Sequence, residues 1–351
     1  MQPTPMSKRK LTRRQAWRIE KIQSERAERA ARRDAQVDDK LSDDSLGPEE
    51  FGLVVAHYGK RIMVEAIADE ADAGHTDGEV VSCHFRANLG SLVTGDRVIW
   101  RRGKDAGVIV AVQPRHSHLQ RPDPYGDMKT VAANIDRIII VSAPYPEPHA
   151  NLIDRYLVAT EALDITPLVL FNKADRIDDN NRAKIDRLRD RYEQLGYEVL
   201  TVSTRTGENI EALKGFLANY TSVFVGQSGV GKSSLINALL PGYEIKVGEL
   251  SEATQKGTHT TTTAHLYHFP SGGHLIDSPG IREFGLWHMA PEQVLEGFIE
   301  IRPHLGHCKF RDCRHQSEPG CALHRAIDAG DISQSRYDSC QMILESLTPN
   351  R

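Results

Sequence analysis

No apolar run in the sequence approaches the roughly 18 residues that a membrane-crossing helix needs, so nothing in it reads as spanning a bilayer. The N-terminus is basic but lacks the apolar core of a secretory leader. Glu20, Glu25 and Glu28 also break the acid-poor composition of an organelle transit peptide. These absences set the expectation of a cytoplasmic protein. Cysteine is scarce and odd in number. Three of the five lie within Cys308–Cys321, which suits a metal site in a reducing compartment better than a disulfide framework. Net charge is nearly absent at −4, yet it is unevenly spread: Lys and Arg crowd residues 7–33, and Asp39–Glu50 is acidic. A basic segment on a mildly acidic chain points to a polyanionic partner.

What is present divides the 351 residues into four parts. Residues 1–48 read as a basic arm with too few apolar residues to offset the entropy of ordering. Residues 49–115 read as an N-terminal β-barrel of the OB-fold type. Five short β-rich segments, Gly52–Val55, Arg61–Ala66, Val80–Phe85, Arg97–Trp100 and Gly107–Val112, are separated by Gly/Asp turns. Such a barrel serves nucleic-acid binding or plain scaffolding, and fold alone does not choose. From about Val131 the pattern changes to strands alternating with helices, a doubly wound parallel sheet within residues 116–285. Residues 286–351 are expected to form a mainly helical, zinc-binding C-terminal domain.

The third part carries the chemistry. Gly226, Gln227, Ser228, Gly229, Val230, Gly231, Lys232, Ser233 and Ser234 spell a G-x-x-x-x-G-K-S phosphate loop between the apolar strand Val223–Val225 and a helix beginning near Ser234. Its glycines let backbone N–H groups turn inward, Lys232 reaches the β- and γ-phosphates, and the Ser233 hydroxyl ligates Mg²⁺. Asn172, Lys173, Ala174 and Asp175 follow the strand Pro167–Phe171 as an N-K-x-D motif. The Asp175 carboxylate accepts the N1–H and the exocyclic amino group of guanine, two donors that adenine does not offer there. Asn172 takes the other edge and the Lys173 stem covers the ring. Ser203 suits a loop that backs the base with N–H groups, and equally suits a generic strand-end turn.

Asp277-Ser278-Pro279-Gly280 places a carboxylate near Mg²⁺ and the Gly280 N–H near the γ-phosphate. The Thr-rich run 260–263 supplies a further magnesium ligand, taken here as Thr261, with Thr260 or Thr262 as alternatives. Ile281 stands where a water-orienting Gln follows D-x-x-G in Ras-like proteins, so His259 is the candidate to orient the attacking water. N-K-x-D precedes the phosphate loop here, the reverse of the usual order. The domain therefore reads as circularly permuted. Farther on, Cys308, Cys313, His315 and Cys321 give three thiolates and an imidazole, a closed set for a structural Zn²⁺. His304, His307 and His324 are nearby competitors.

The permuted order, with G-Q-S-G-V-G-K-S-S, G-x-H-T-T-T, D-S-P-G-I-R-E-F-G-L-W and C-x4-C-x-H-x5-C, resembles the RsgA/YjeQ family of ribosome small subunit-dependent GTPases over residues 50–345. The resemblance implies a cytoplasmic GTP hydrolase with Mg²⁺-bound GTP or GDP and one structural Zn²⁺. It implies binding to the 30S subunit and 16S rRNA, a late assembly checkpoint, subunit-stimulated hydrolysis that drives release, and a monomer with no membrane partner. The competing expectation is a GTP-switched RNA-binding module whose hydrolysis is incidental.

Overall fold

The computed structural model describes residues 46–58, 61–68, 78–85, 89–123, 126–242, 264–277 and 289–347. The basic arm to residue 45, the segment bearing His259 and Thr261, and Gly280 lie outside the described residues.

Five strands, β1 (Glu49–Tyr58), β2 (Arg61–Ile67), β3 (Val80–Phe85), β4 (Arg97–Arg101) and β5 (Gly107–Val112), match the five segments legible in the sequence. β1 pairs with both β2 and β4, β3 joins β2 to β5, and β5 returns to β4, so the sheet closes on itself. Closure removes the open edges that a five-stranded sheet would otherwise expose. Trp100 fills the centre against Val54, Ile62, Val64, Val98 and Ile109, and its indole N–H donates to the Phe51 carbonyl at 3.2 Å. Cys83 lies in this core, where burial pushes its thiol up to about 12.

A separate hairpin follows, β6 (His118–Pro122) with β7 (Met128–Ala133), which the sequence pattern does not announce. Its strands are mostly polar, and only Leu119, Ala132 and Ala133 are buried.

The α/β part runs β8 (Arg137–Ser142), α1 (Ala150–Ala162), β9 (Thr166–Phe171), α2 (Arg182–Gln194), β10 (Glu198–Thr201), α3 (Ile210–Leu217), β11 (Thr221–Val225), α4 (Lys232–Leu239), β12 (His265–His268) and β13 (His274–Asp277). Strand order is β10-β9-β8-β11-β13-β12, parallel except that β12 runs antiparallel to β13. The continuous apolar runs follow from burial of both faces. Ile138, Ile140, Val169 and Phe171 point to the layer of α1 and α2, whereas Ile139, Val141, Leu168 and Leu170 meet α3 and α4. β12 also pairs with β1 at Ala56↔His265, which merges barrel and α/β sheet into one eleven-stranded sheet.

Helices α5 (Pro291–Gly297), α6 (Ala322–Ala329) and α7 (Gln334–Leu347) frame the C-terminal region, with irregular loops between the first two around a one-turn helix at Arg302–His304. α7 docks on α1: Asn151 Nδ2 donates to the Ser339 carbonyl at 3.1 Å and to its Oγ at 2.9 Å. Beneath this contact lies a buried charge network. The Arg336 guanidinium, 1% exposed, meets Asp154 Oδ1 at 2.5 Å and Glu300 Oε1 at 2.6 Å, and stacks 4.3 Å over the Phe298 ring. Tyr192 of α2 donates to the same Asp154 oxygen at 2.8 Å. Burying a charge is tolerable only with such partners. Arg336→Met would strand two buried carboxylates and is expected to cost about 3–5 kcal/mol. Urea unfolding followed in the C-terminal region checks this, and an unchanged midpoint would show that the network contributes nothing net.

Candidate functional site

The chain returns to one edge of the sheet at the carboxyl ends of β9, β10, β11 and β13, where ligands of open α/β sheets bind. From β11 it turns at Gly226, whose φ of 135° and Cβ-free α-carbon are both required: an added Cβ would lie 2.2 Å from the Val141 carbonyl oxygen. At Gly231, with φ of 97°, a Cβ would come 2.4 Å from Asn172 Nδ2. The loop is therefore packed directly against the N-K-x-D segment. Lys232 opens α4 and reaches back over the loop, donating to the carbonyls of Gly226 at 2.6 Å and Gln227 at 2.9 Å. Ser233 and Ser234, in the first turn of α4, are half-buried, and Ser228 and Gly229 at the loop's tip are exposed.

The N-K-x-D segment is tied to the phosphate loop from its own side. Asn172, 1% exposed, donates from Nδ2 to the Val230 carbonyl at 3.0 Å, and its Oδ1 has no hydrogen-bond partner among the described residues. Lys173 adopts the left-handed conformation, with φ of 61°, and its Nζ donates to the carbonyls of Gly229 at 2.5 Å and Tyr145 at 2.8 Å. Burial lowers the affinity of that amine for its proton. Ala174 N–H bonds the Val202 carbonyl at 3.0 Å, which clamps the segment to the end of β10.

Ser203 is fully buried, and its hydroxyl donates to Asp175 Oδ1 at 2.6 Å while accepting the N–H groups of Arg205 at 3.3 Å and Thr206 at 3.2 Å. Here the serine side chain, fixed by its own loop, orients the carboxylate, a role beyond both the N–H-bearing loop and the generic strand-end turn that the sequence offers for it. Arg205 Nη1 lies 3.8 Å from Asp175 Oδ2. Sequence reasoning missed this arginine, although a basic residue two positions after a strand-end serine was the signal available. Asp277 ends β13 in register with His265. Burial holds the His265 imidazole below its ordinary range, with Asp277 pulling the other way. The β11–β13 pairing Ser222↔Leu275 sets Asp277 level with Phe224, just before the phosphate loop begins. The structure thus brings together Asn172, Lys173, Ala174, Asp175, Ser203, residues 226–234 and Asp277.

A second cluster lies in the C-terminal loops. The ligand atoms of Cys308, Cys313, His315 and Cys321 all lie within 4.8 Å of one another. His315 Nδ1 stands 3.4, 3.7 and 3.5 Å from the sulfurs of Cys308, Cys313 and Cys321. A tetrahedral ion with Zn–S of about 2.3 Å and Zn–N of about 2.05 Å has N···S edges of roughly 3.6 Å. The residues present fit such an ion. The Arg314, Gln316 and Ser317 N–H groups donate to the Glu318 carboxylate at 2.9, 2.9 and 3.1 Å, which shapes the loop and holds that carboxyl at about 2, chiefly through Arg314. His315 takes a left-handed φ of 61°, and its carbonyl accepts the Tyr337 hydroxyl. Two of the three competitors are engaged elsewhere: His324 Nε2 meets Tyr337 Oη at 3.1 Å, and His304 faces Asp331 at 4.0 Å.

Comparison with known proteins agrees with this geometry. The family model for the RsgA GTPase matches residues 112–287. The chain is 57% identical over 343 residues to the small ribosomal subunit biogenesis GTPase RsgA of Hahella chejuensis, covering 97% of each chain. It is 59% identical to the same-named protein of Azotobacter vinelandii, covering 97% of this chain and 98% of that one. Among solved structures, YjeQ from Thermotoga maritima superposes with a TM-score of 0.70 at 30% identity, covering 87% of this chain and 100% of that one. YloQ, described as a circularly permuted GTPase, superposes with a TM-score of 0.67 at 27% identity, covering 87% of this chain and 98% of that one. With base-reading and phosphate-binding segments joined in reversed order on one sheet edge, the chain belongs to the RsgA GTPase family of circularly permuted GTP hydrolases.

Proposed function

We propose that this chain hydrolyses GTP on the small ribosomal subunit as a late assembly checkpoint, with the subunit stimulating turnover and hydrolysis driving release. The observation that carries the reading is the junction of two recognition elements. Asn172 and Lys173 bond directly to the carbonyls of Val230 and Gly229, so a base at Asp175 and a phosphate at Lys232 belong to one ligand. The names of the relatives supply the assembly context.

In this reading Asp175 selects guanine, Asn172, Lys173, Ala174 and Ser203 shape the base pocket, and residues 226–234 cradle the phosphates. Lys232 offsets charge on the β- and γ-phosphates. Ser233, Thr261 and Asp277 hold Mg²⁺ directly or through water, and when bound the ion neutralises charge developing on the transferred phosphoryl group. Gly280 contacts the γ-phosphate, and His259 orients the water. His259→Ala is expected to lower kcat by about 10²-fold or more with nucleotide affinity kept. Equal loss of binding in an equilibrium titration would assign His259 to the pocket instead.

Cys308, Cys313, His315 and Cys321 would hold Zn²⁺ and fold the C-terminal loops. The limits 1–48, 49–115, 116–285 and 286–351 for arm, barrel, GTPase domain and zinc domain belong to the same proposal. So do a cytoplasmic monomer, a phosphate-attracting arm and 16S rRNA as the partner polyanion. Among the described residues no helix is long and apolar enough to cross a membrane. The test is GTP and ATP turnover with and without purified small subunits. Acceleration of GTP turnover alone is expected. Turnover indifferent to subunits would favour a binding module with incidental hydrolysis.

A further inference from the structure

We propose that Glu65 and His268 are positioning residues for hydrolysis: they form a partly buried strut through which the barrel sets the place of the β12–β13 hairpin, and with it Asp277. The proposal rests on the reading that the small subunit stimulates turnover.

Glu65 lies on β2 and is only 3% exposed. A carboxylate so buried needs a cationic or hydrogen-bonding partner. Among the described residues that partner comes from the other domain: His268 Nε2 lies 2.7 Å from Glu65 Oε2. The two atoms are in close polar contact, at an angle outside hydrogen-bond geometry. The second ring nitrogen of His268 continues the row. Its Nδ1 meets His274 Nδ1 at 2.8 Å, with the rings edge-on at 81° and 4.8 Å between centroids. One of these two nitrogens must carry the proton that the other accepts. His268 and His274 face each other across the hairpin, and His274 is 2% exposed. Asp277 lies three residues farther along β13, about 10 Å away.

The barrel holds the other end of the hairpin too. Thr94 Oγ1 donates to the Ala264 carbonyl at 3.1 Å, Ala56 pairs with His265, and Tyr58 Oη approaches His265 Nε2 at 3.4 Å. His265 is the residue opposite Asp277. Barrel contacts therefore bracket the hairpin at its turn and at its root. A hairpin held at both ends moves with the body that holds it. Engagement of the barrel by RNA then repositions Asp277, and by linkage the nucleotide state alters the barrel's affinity for RNA. An apolar row would pack these strands as firmly. What the polar row adds is dependence of the hairpin's position on two groups from different domains.

The test uses the full chain, with Glu65→Gln, His268→Gln and the double variant. It measures GTP turnover with and without small subunits, KM for GTP, and subunit affinity in the GDP and non-hydrolysable GTP forms. Each single variant is expected to lower the stimulation ratio about tenfold with KM unchanged, and to shrink the affinity difference between nucleotide forms. The double variant should lose no more than either single one, because one strut is cut only once. Stimulation intact in both folded variants overturns the proposal alone. Basal and stimulated turnover falling in parallel with thermal stability also overturn it, since the residues would then be plain structure. A wild-type chain that subunits do not stimulate removes the premise and the proposal together.

Discussion

Cys321→Ser, or treatment with a chelator, is expected to unfold the loops around the cysteine cluster, because no regular secondary structure holds them. Between the one-turn helix at Arg302–His304 and α6 there is no regular element, and Phe310 is 43% exposed. Cys321 is both a candidate ligand and the N-cap residue of α6, and Cys308 Sγ accepts the Ala322 N–H at 3.2 Å. The cluster thus fixes the start of that helix. Structural zinc contributes apparent free energies of about 10–16 kcal/mol in small zinc-dependent folds. That is comparable to the whole stability of a typical domain, about 5–15 kcal/mol. The loss should nevertheless stop short of α7, which the Arg336 network and Asn151 fasten to α1. Hydrogen exchange should show residues 305–330 unprotected, with the α/β sheet unchanged and zinc content near zero. Retained protection of 305–330 without bound metal would mean that packing alone folds the region.

Asp175→Asn is expected to lower the preference for GTP over ATP by about 10⁴-fold or more, the discrimination available when a buried polar site loses its match. The geometry supports a carboxylate already aimed. Ser203 donates to Oδ1 at 2.6 Å, and that serine is fixed by two backbone N–H groups. Held so, the carboxylate would offer acceptors to two neighbouring donors on the base with little ordering left for binding to impose. An amide in its place sets a donor against a donor on guanine. The fold should tolerate the change, since Asp175 sits in a one-turn helix at the rim with 13% of its side chain exposed. Competition binding of GTP and ATP at equal Mg²⁺ checks the ratio. A variant that kept full guanine preference would move base selection away from Asp175.

Legibility in the sequence tracked how local the physics was. The phosphate loop could be read because Gly226 and Gly231 need backbone freedom that no other residue supplies, and Lys232 has a fixed place after them. The cysteine cluster could be read because four candidate ligands fall within one short stretch. Barrel strands β1–β5 and the buried strands β8, β9 and β11 declared themselves by β-branched and apolar runs. The strand β12, His-Leu-Tyr-His, has one buried residue and exists because β13 and β1 lie on either side of it. Its pairing with the barrel is a tertiary fact with no local trace. Arg336 is one arginine among many in the sequence, and only the fold reveals that Asp154 and Glu300 wait for it. Ser203 was visible as a loop residue, but the direction of its hydroxyl depends on the turn that follows. The segment from 243 to 263, with His259 and Thr261, lies outside the described residues.

The reversed order of the segments also sets a timetable for synthesis. Chains leave the ribosome N-terminus first and domains fold as they emerge. Strands β8, β9 and β10, with Asp175 and Ser203, come out before β11 and the phosphate loop, yet β11 must slot beside β8 rather than extend the far edge. The nascent chain therefore carries the N-K-x-D segment before the Val230 and Gly229 carbonyls that Asn172 and Lys173 bond have been made, and the two segments can join only once β11 is inserted beside β8.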